Sequence, residues 1–210
     1  MSQQQLRSEP RFEGEVAAAY PIALLESVRS HDRPGEVLED EQFAESLPRR
    51  LGLTGIVETQ IRRYEDARRA GRQVQLDEVA GLIRLVLRRP DADAILREAG
   101  QRAARWHCRN SPRWWQRLSL RLPAAVALRS ARRATVRALS ALRAGTSIQG
   151  TRPMTITVHD CMTAIMPEGR ACALFTGLVE EMLLLNTGFA HPVSHSRCIR
   201  NGYEFCEWSA

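Results

Sequence analysis

Three cysteines and a histidine near the end of the 210-residue chain are the side chains best suited to chemistry. Cys172, His195, Cys198 and Cys206 are spaced C-x22-H-x2-C-x7-C. Thiolate sulfur and imidazole nitrogen are the donors that zinc takes in a tetrahedron. Four protein ligands fill that tetrahedron and leave no position for water, so such a site is structural rather than catalytic. The plainer alternative is packing, since cysteine is among the most buried residue types and behaves as a small hydrophobe. C-x7-C is not a standard zinc-ribbon spacing, and spacing alone leaves both readings open.

The elements that must position these residues are a helix and a hairpin. The stretch Gly169–Leu185 reads as an amphipathic helix ending near Asn186-Thr187-Gly188. Cys172 then lies near a helix N-terminus, which favours the thiolate. Pro192–Arg200 and Tyr203–Trp208 read as two strands joined at Asn201-Gly202, a strong hairpin signal. A strict two-residue turn pairs Cys198 with Phe205 and sets Cys206 on the opposite face. A three-residue loop Arg200-Asn201-Gly202, with a left-handed Gly202 forming a bulge, pairs Cys198 with Glu204 and brings Cys198 and Cys206 to one face. The metal reading requires the bulged form.

Upstream, residues 1–13 read as a flexible polar tail and 14–76 as a helical segment. Residues 77–210 read as the domain that carries the cysteines. Glu13–Ser30 has apolar Val16, Ala19, Ile22, Leu25 and Val28 at intervals of three, with Pro21 as a potential kink. Asp40–Leu51 and Thr54–Ala70 read as two further helices, the second closed by Gly71. Asp77–Arg88 and Ala92–Arg105 follow, the latter with Ile95 and Ala99 inward. Ala124–Leu142 then places Val126, Ala127, Val136 and Leu139 on its buried side. Pro112 should divide the stretch between Trp106 and Leu122. After Gly150 the period changes from helical to alternating. Met154–Val158 reads as a strand, with another around Ala144–Ile148. The expected class is α+β: a helical N-terminal half, then a small antiparallel sheet with a packed helix and a C-terminal hairpin.

Composition bounds the rest. At 44% hydrophobic and 26% charged, the chain is an ordinary globular domain, long enough to bury one core. No apolar run approaches the roughly 20 residues of a membrane span. The opening MSQQQLRSEP has no apolar signal core. A cytoplasmic location with reduced thiols is therefore expected, and there cysteine clusters are more often metal sites than disulfides. All 30 basic residues are arginine and the net charge is +6. Twelve of those arginines fall between Gly100 and His159, a stretch without Asp or Glu. That stretch invites an anionic partner, but no helix-turn-helix is evident, and nucleic acid is not favoured.

The hairpin residues Cys-Ile-Arg-Asn-Gly-Tyr-Glu-Phe-Cys-Glu-Trp (198–208) resemble the terminal C-x3-G-x3-C-x-aromatic signature of the 4-vinyl reductase domain family. Asp160-Cys161, Arg170-Ala171-Cys172-Ala173 and Gly177-Leu178-Val179-Glu180 follow the family order. Arg97–Arg102 and Arg121–Ala125 look like the bacteriochlorophyll 4-vinyl reductase-type members. The resemblance covers roughly residues 77–208 and implies a TRAPP-like fold. In the phenol-responsive sensors of that family, three cysteines and one acidic residue hold a zinc ion. Those positions fall on Cys172, His195, Cys198 and Cys206, with His195 in the carboxylate's place. Imidazole is an equally good zinc ligand.

The resemblance also implies a pocket for an apolar small molecule, in this branch a tetrapyrrole-like bacteriochlorophyll precursor. Trp106, His107, Trp114, Trp115 and Cys161 are the candidates to line it. The alternative is that these tryptophans are core or surface anchors on a basic helix. Cys108 has no partner motif. No G-x-G-x-x-G, G-x-S-x-G or phosphate loop occurs in the chain. Three function classes stay open: binding of a hydrophobic small molecule, reduction of a vinyl group in tetrapyrrole biosynthesis, and a sensory or adaptor role through homodimerisation. Arg109–Arg121 with Trp114 and Trp115 would also suit contact with a membrane surface or with a pigment enzyme.

Overall fold

Among the described residues, the stretch from Glu13, expected to be helical, opens as a strand. In the computed structural model, which describes residues 13–32, 43–109, 124–140, 142, 145–149, 154–159 and 167–210, β1 (Glu15–Ala17) pairs antiparallel with β2 (Gln73–Gln75). Helix α1 (Ala19–His31) follows immediately. Pro21 is its third residue, where an N–H would have no acceptor within the helix, so it does not divide the element.

The two helices expected before residue 70 are one, α2 (Phe43–Arg69), which runs through Gly52 and Gly55. An interior glycine costs a helix only about 1 kcal/mol, too little to end it. Its C-terminus is a true stop. Gly71 takes φ 65°, the Arg72 N–H donates to the Ala67 carbonyl at 2.8 Å, and the Gly71 N–H donates to Arg68 at 3.1 Å. This is the Schellman pattern.

Helix α3 (Leu76–Leu87) buries Val79, Ala80, Ile83 and Val86, the stripe its periodicity dictates. Helix α4 (Ala92–Arg109) buries Ile95, Leu96, Ala99 and Ala103, and continues past residue 105 through Trp106 and Cys108. The break expected at Pro112 lies outside the described residues. Helix α5 (Ala124–Ser140) faces inward with Ala127, Ala131, Ala138 and Leu139, while Val136 is half-buried. Val126 is 45% exposed, contrary to expectation, because the buried stripe runs through the alanines.

The C-terminal half is a four-stranded antiparallel sheet in the order β3 (Gly145–Gln149), β4 (Thr155–His159), β6 (Cys206–Ser209), β5 (Ser194–Arg197). Strand β3 falls where one was expected, around Ala144–Ile148. Helix α6 (Ala173–Thr187) follows a 3-10 turn at Pro167–Cys172 and ends at Gly188, φ 78°. The class is α+β. Of the tail expected at residues 1–13, residues 1–12 lie outside the described residues. Buried side chains from Val16 to Trp208 form one core, so residues 14–76 and 77–210 share it. No described helix is long and apolar enough to cross a membrane.

Helices α4 and α6 cross at their backbones. A Cβ on Gly100 would lie 2.0 Å from the Leu174 carbonyl oxygen, and one on Gly177 would lie 2.0 Å from that of Arg97. Arg97 pairs with Glu180, and the Arg105 Nε donates to the Glu181 carboxylate at 2.8 Å, flanking the crossing. This contact fixes where α6, and therefore its first residues, meet the sheet.

Candidate metal centre

Each of the four donors is placed by a different local rule. Cys172 ends the 3-10 turn and is the N-cap of α6, with helical backbone at φ −63°. Its thiol sits at the positive end of the helix dipole, which favours negative charge. On β6, Cys206 and Trp208 are two residues apart and share the buried face, as the strand period requires. On β5, His195 lies opposite Trp208. A regular strand would send Cys198, three residues further on, to the other face. The ladder instead shifts register between His195 and Arg197, so Ser196 is an extra residue and Arg197 lies opposite Glu207. The bulge resets the alternation and returns Cys198 to the face of His195.

The turn itself matches neither expected loop. A 3-10 turn over Ile199–Asn201 follows Cys198, and Gly202 takes the left-handed conformation at φ 88°. The ladder ends at Arg197↔Glu207, so Cys198 pairs with neither Phe205 nor Glu204. Continued by one residue, that register sets Cys198 directly across from Cys206. The bulge that the metal site needs is thus present, but in the strand at Ser196 rather than at Gly202.

The four donor atoms converge. The Sγ atoms of Cys172 and Cys198 are 4.0 Å apart, those of Cys172 and Cys206 4.0 Å, and those of Cys198 and Cys206 3.8 Å. All four donor atoms, His195 included, lie within 4.8 Å of one another. The sulfur separations are nearly double a disulfide bond of about 2.05 Å. The cluster can hold a metal ion. His195 Nε2 is buried and has no hydrogen-bond partner among the described residues. Native proteins pair the large majority of such atoms, and Thr135 Oγ1 is the other buried one without a partner among the described residues. Without a cation, burial and then the neighbouring Cys206 push the Cys198 thiol up. A divalent ion reverses that preference, because its ligands bind as thiolates.

A supporting ring closes behind the donors. The imidazole of His195 stacks on the Trp208 indole at 4.6 Å and 18°. The Trp208 Nε1–H donates to Thr176 Oγ1 at 2.9 Å, and the Thr176 hydroxyl donates to the Cys172 carbonyl at 3.3 Å. Phe175 packs against the indole at 5.7 Å. The sequence reading missed this role of Thr176 and Trp208. One signal could have found it: Thr176 is four residues after Cys172, on the same helical face.

Of the residues expected to line a ligand pocket, Trp106 and His107 lie within the described residues, both on α4. The Tyr20 hydroxyl donates to the Ala138 carbonyl at 2.7 Å, so His107 Nε2, also 2.7 Å away, must bring its own proton to the Tyr20 oxygen. His107 thereby ties α1 to α4, and burial lowers its pKa. Trp106 is half-buried with its ring edge-on to His107 at 4.9 Å. Trp114, Trp115 and Cys161 lie outside the described residues. Cys108 is half-buried between Met182 and Asn186, and burial raises its pKa, so it is a packing residue. Comparison with protein-family models, curated proteins and solved structures gives no match.

Proposed function

We propose that this chain is a small-molecule-binding domain of the 4-vinyl reductase type, locked by a structural zinc ion. The observation that carries the reading is the convergence of Cys172, His195, Cys198 and Cys206. A tetrahedron with zinc–sulfur bonds of about 2.3 Å has sulfur–sulfur edges of roughly 3.8 Å. The separations of 3.8 to 4.0 Å match it without rearrangement. Three thiolates and one imidazole are a donor set that suits zinc over calcium or magnesium. The same four positions hold zinc in the sensors that the hairpin signature resembles.

Bound there, zinc supplies folding free energy. Cys198 and Cys206 anchor the hairpin, Cys172 anchors α6, and His195 closes the set against Trp208. With all four positions taken by protein, binding rather than turnover is the favoured activity. The resemblance supports an apolar ligand, in this branch a tetrapyrrole precursor. Purification under reducing conditions, with metal analysis and absorption spectroscopy, tests both halves. About one zinc per chain is expected, with a co-purifying chromophore. Clearly substoichiometric zinc in reduced protein would overturn the metal half. A chromophore that is reduced at its vinyl group when an electron donor is added would favour the reductase instead.

A further inference from the structure

We propose that the arginine face of α5 docks this domain on an anionic lipid surface. The proposal draws on the apolar ligand of the proposed function, whose store is a lipid phase, and is independent of the metal. Arg129, Arg132, Arg133, Val136 and Arg137 stand at i, i+3, i+4, i+7 and i+8, so they share one side of the helix. The five border a single open depression of about 540 Å³. Opposite them Ala127, Ala131, Thr135, Ala138 and Leu139 are buried, so α5 lies flat on the body with its arginines outward. Arg129, Arg133 and Arg137 are exposed. At four-residue steps they follow one another about every 6 Å along the helix axis.

Charge balance sets this row apart. On α2 and α4, Arg62 is paired with Glu58, Arg97 with Glu180, Arg102 with Glu98 and Arg105 with Glu181. On α5, Arg129, Arg133 and Arg137 have no acidic partner among the described residues. No Asp or Glu occurs between Gly100 and His159 to supply one locally. Like charges at i, i+4 repel one another, and an anionic surface relieves that repulsion. Arginine alone would suit any polyanion; the apolar residues beside it select the membrane. Val126, three residues before Arg129, is 45% exposed, and Val136 sits among the arginines. Aliphatic groups gain nothing from a sugar–phosphate backbone, and α5 has no aromatic residue on which a base could stack. At a bilayer the same valines meet the headgroup boundary while guanidiniums pair bidentately with lipid phosphates. No described helix is long and apolar enough to cross a membrane, so the contact is peripheral. Each arginine near an anionic leaflet contributes roughly fivefold to partitioning, and salt screens that attraction.

The test is co-sedimentation of the full chain, as purified, with vesicles of phosphatidylcholine alone or with about one-third phosphatidylglycerol. The protein should partition onto the anionic vesicles and not onto the neutral ones. It should leave them in about 1 M salt, where the Debye length is about 3 Å. The triple variant Arg129→Gln/Arg133→Gln/Arg137→Gln should partition at least tenfold more weakly, with an unchanged melting temperature. Arg62→Gln/Arg68→Gln/Arg69→Gln removes the same charge from α2 and should stay within about twofold of the parent. Equal losses in the two triple variants would reduce the effect to net charge and overturn the proposal. Equal binding to neutral vesicles, or no vesicle binding at low salt, would overturn it too. Release from the vesicles by short duplex DNA at matched phosphate would assign the face to nucleic acid instead. Failure to bind vesicles with a chromophore still co-purifying would sink only the docking, whereas vesicle binding without a chromophore would sink only the ligand reading.

Discussion

His195 separates metal binding from mere packing. Three buried cysteines satisfy either reading, but a buried imidazole nitrogen without a partner does not. Leaving such a group unpaired costs about 1–3 kcal/mol. His195→Cys keeps four donors and should retain zinc at the parent's stoichiometry. His195→Ala should weaken zinc at least tenfold in competition with a chelating dye. Unchanged affinity in the alanine variant would remove His195 from the ligand set. Cys198→Ser should cost several kcal/mol of thermal stability, because structural zinc binding is folding energy; an unaltered melting curve would count against the site. These donors were legible in the sequence because ligand chemistry belongs to the residue itself. The bulge at Ser196 was not, since Ser-His-Ser-Arg carries no glycine or proline to mark it. His107 allows a different test. Burial lowers its pKa below 6.5, so it imposes no penalty above that pH and a growing one as the pH falls below it. His107→Gln keeps an N–H for Tyr20 and cannot titrate. Its melting temperature should therefore fall less than the parent's between neutral and mildly acid pH, and parallel curves would show that His107 does not contribute.

Glycines show how the same residue type does opposite things in different elements. Gly100 and Gly177 let α4 and α6 touch, and a methyl group at either would sit 2.0 Å from a carbonyl oxygen of the facing helix. Alanine gains about 1 kcal/mol of helix propensity there. Overpacking costs about 1–3 kcal/mol even where side chains can yield, and here backbone would have to move. Gly100→Ala should therefore destabilise by about 3 kcal/mol or more in denaturant unfolding. Gly81 lies within α3 with nothing within 4 Å of its would-be Cβ, so Gly81→Ala should stabilise by about 0.5–1 kcal/mol. Matching effects at the two positions would refute the close crossing. Periodicity could not foretell this difference, because a glycine's neighbours come from another element. It did define α3 and α4, whose apolar residues repeat strongly enough to override local choices. It failed for β1, where only three residues of strand precede a helix and Val16 continues the three-residue spacing of Ala19 and Ile22. It also failed for α2, where the boundary read between Leu51 and Thr54 falls inside one continuous helix.

One core draws side chains from helices α1 to α6 and from strands β1, β2, β4 and β6, yet the cluster of Cys172, His195, Cys198 and Cys206 touches only part of it. Cys172 begins α6, and the other three donors belong to the β5–β6 hairpin, whose β6 strand lies between β4 and β5. Helices α1 and α4 are held by their own contacts: the Tyr20–His107 hydrogen bond, the Glu26–Arg102 pair and buried Leu24, Ile95 and Ala99. The α+β order was readable from the change of hydrophobic period near residue 150. The unity of the core was not, since a boundary at residue 76 looks plausible when β2 and its pairing with β1 cannot be seen. This division of labour predicts how the molecule opens. Local stability varies across a fold, and a tie between two elements protects mainly those elements. Removing zinc with a strong chelator should leave three thiols in van der Waals contact and no charge to hold the hairpin on α6. Hydrogen exchange should then speed up in β5, β6, the paired β4 and the first turn of α6. The amides of α1 and α4 should keep their protection. Uniform loss of protection would mean that zinc holds the entire core, and unchanged exchange in the hairpin would mean that the metal does not fasten it. The intermediate result alone fits a fastening that closes one end of an already packed helical body, leaving α1 packed on α4 whether or not the metal is bound.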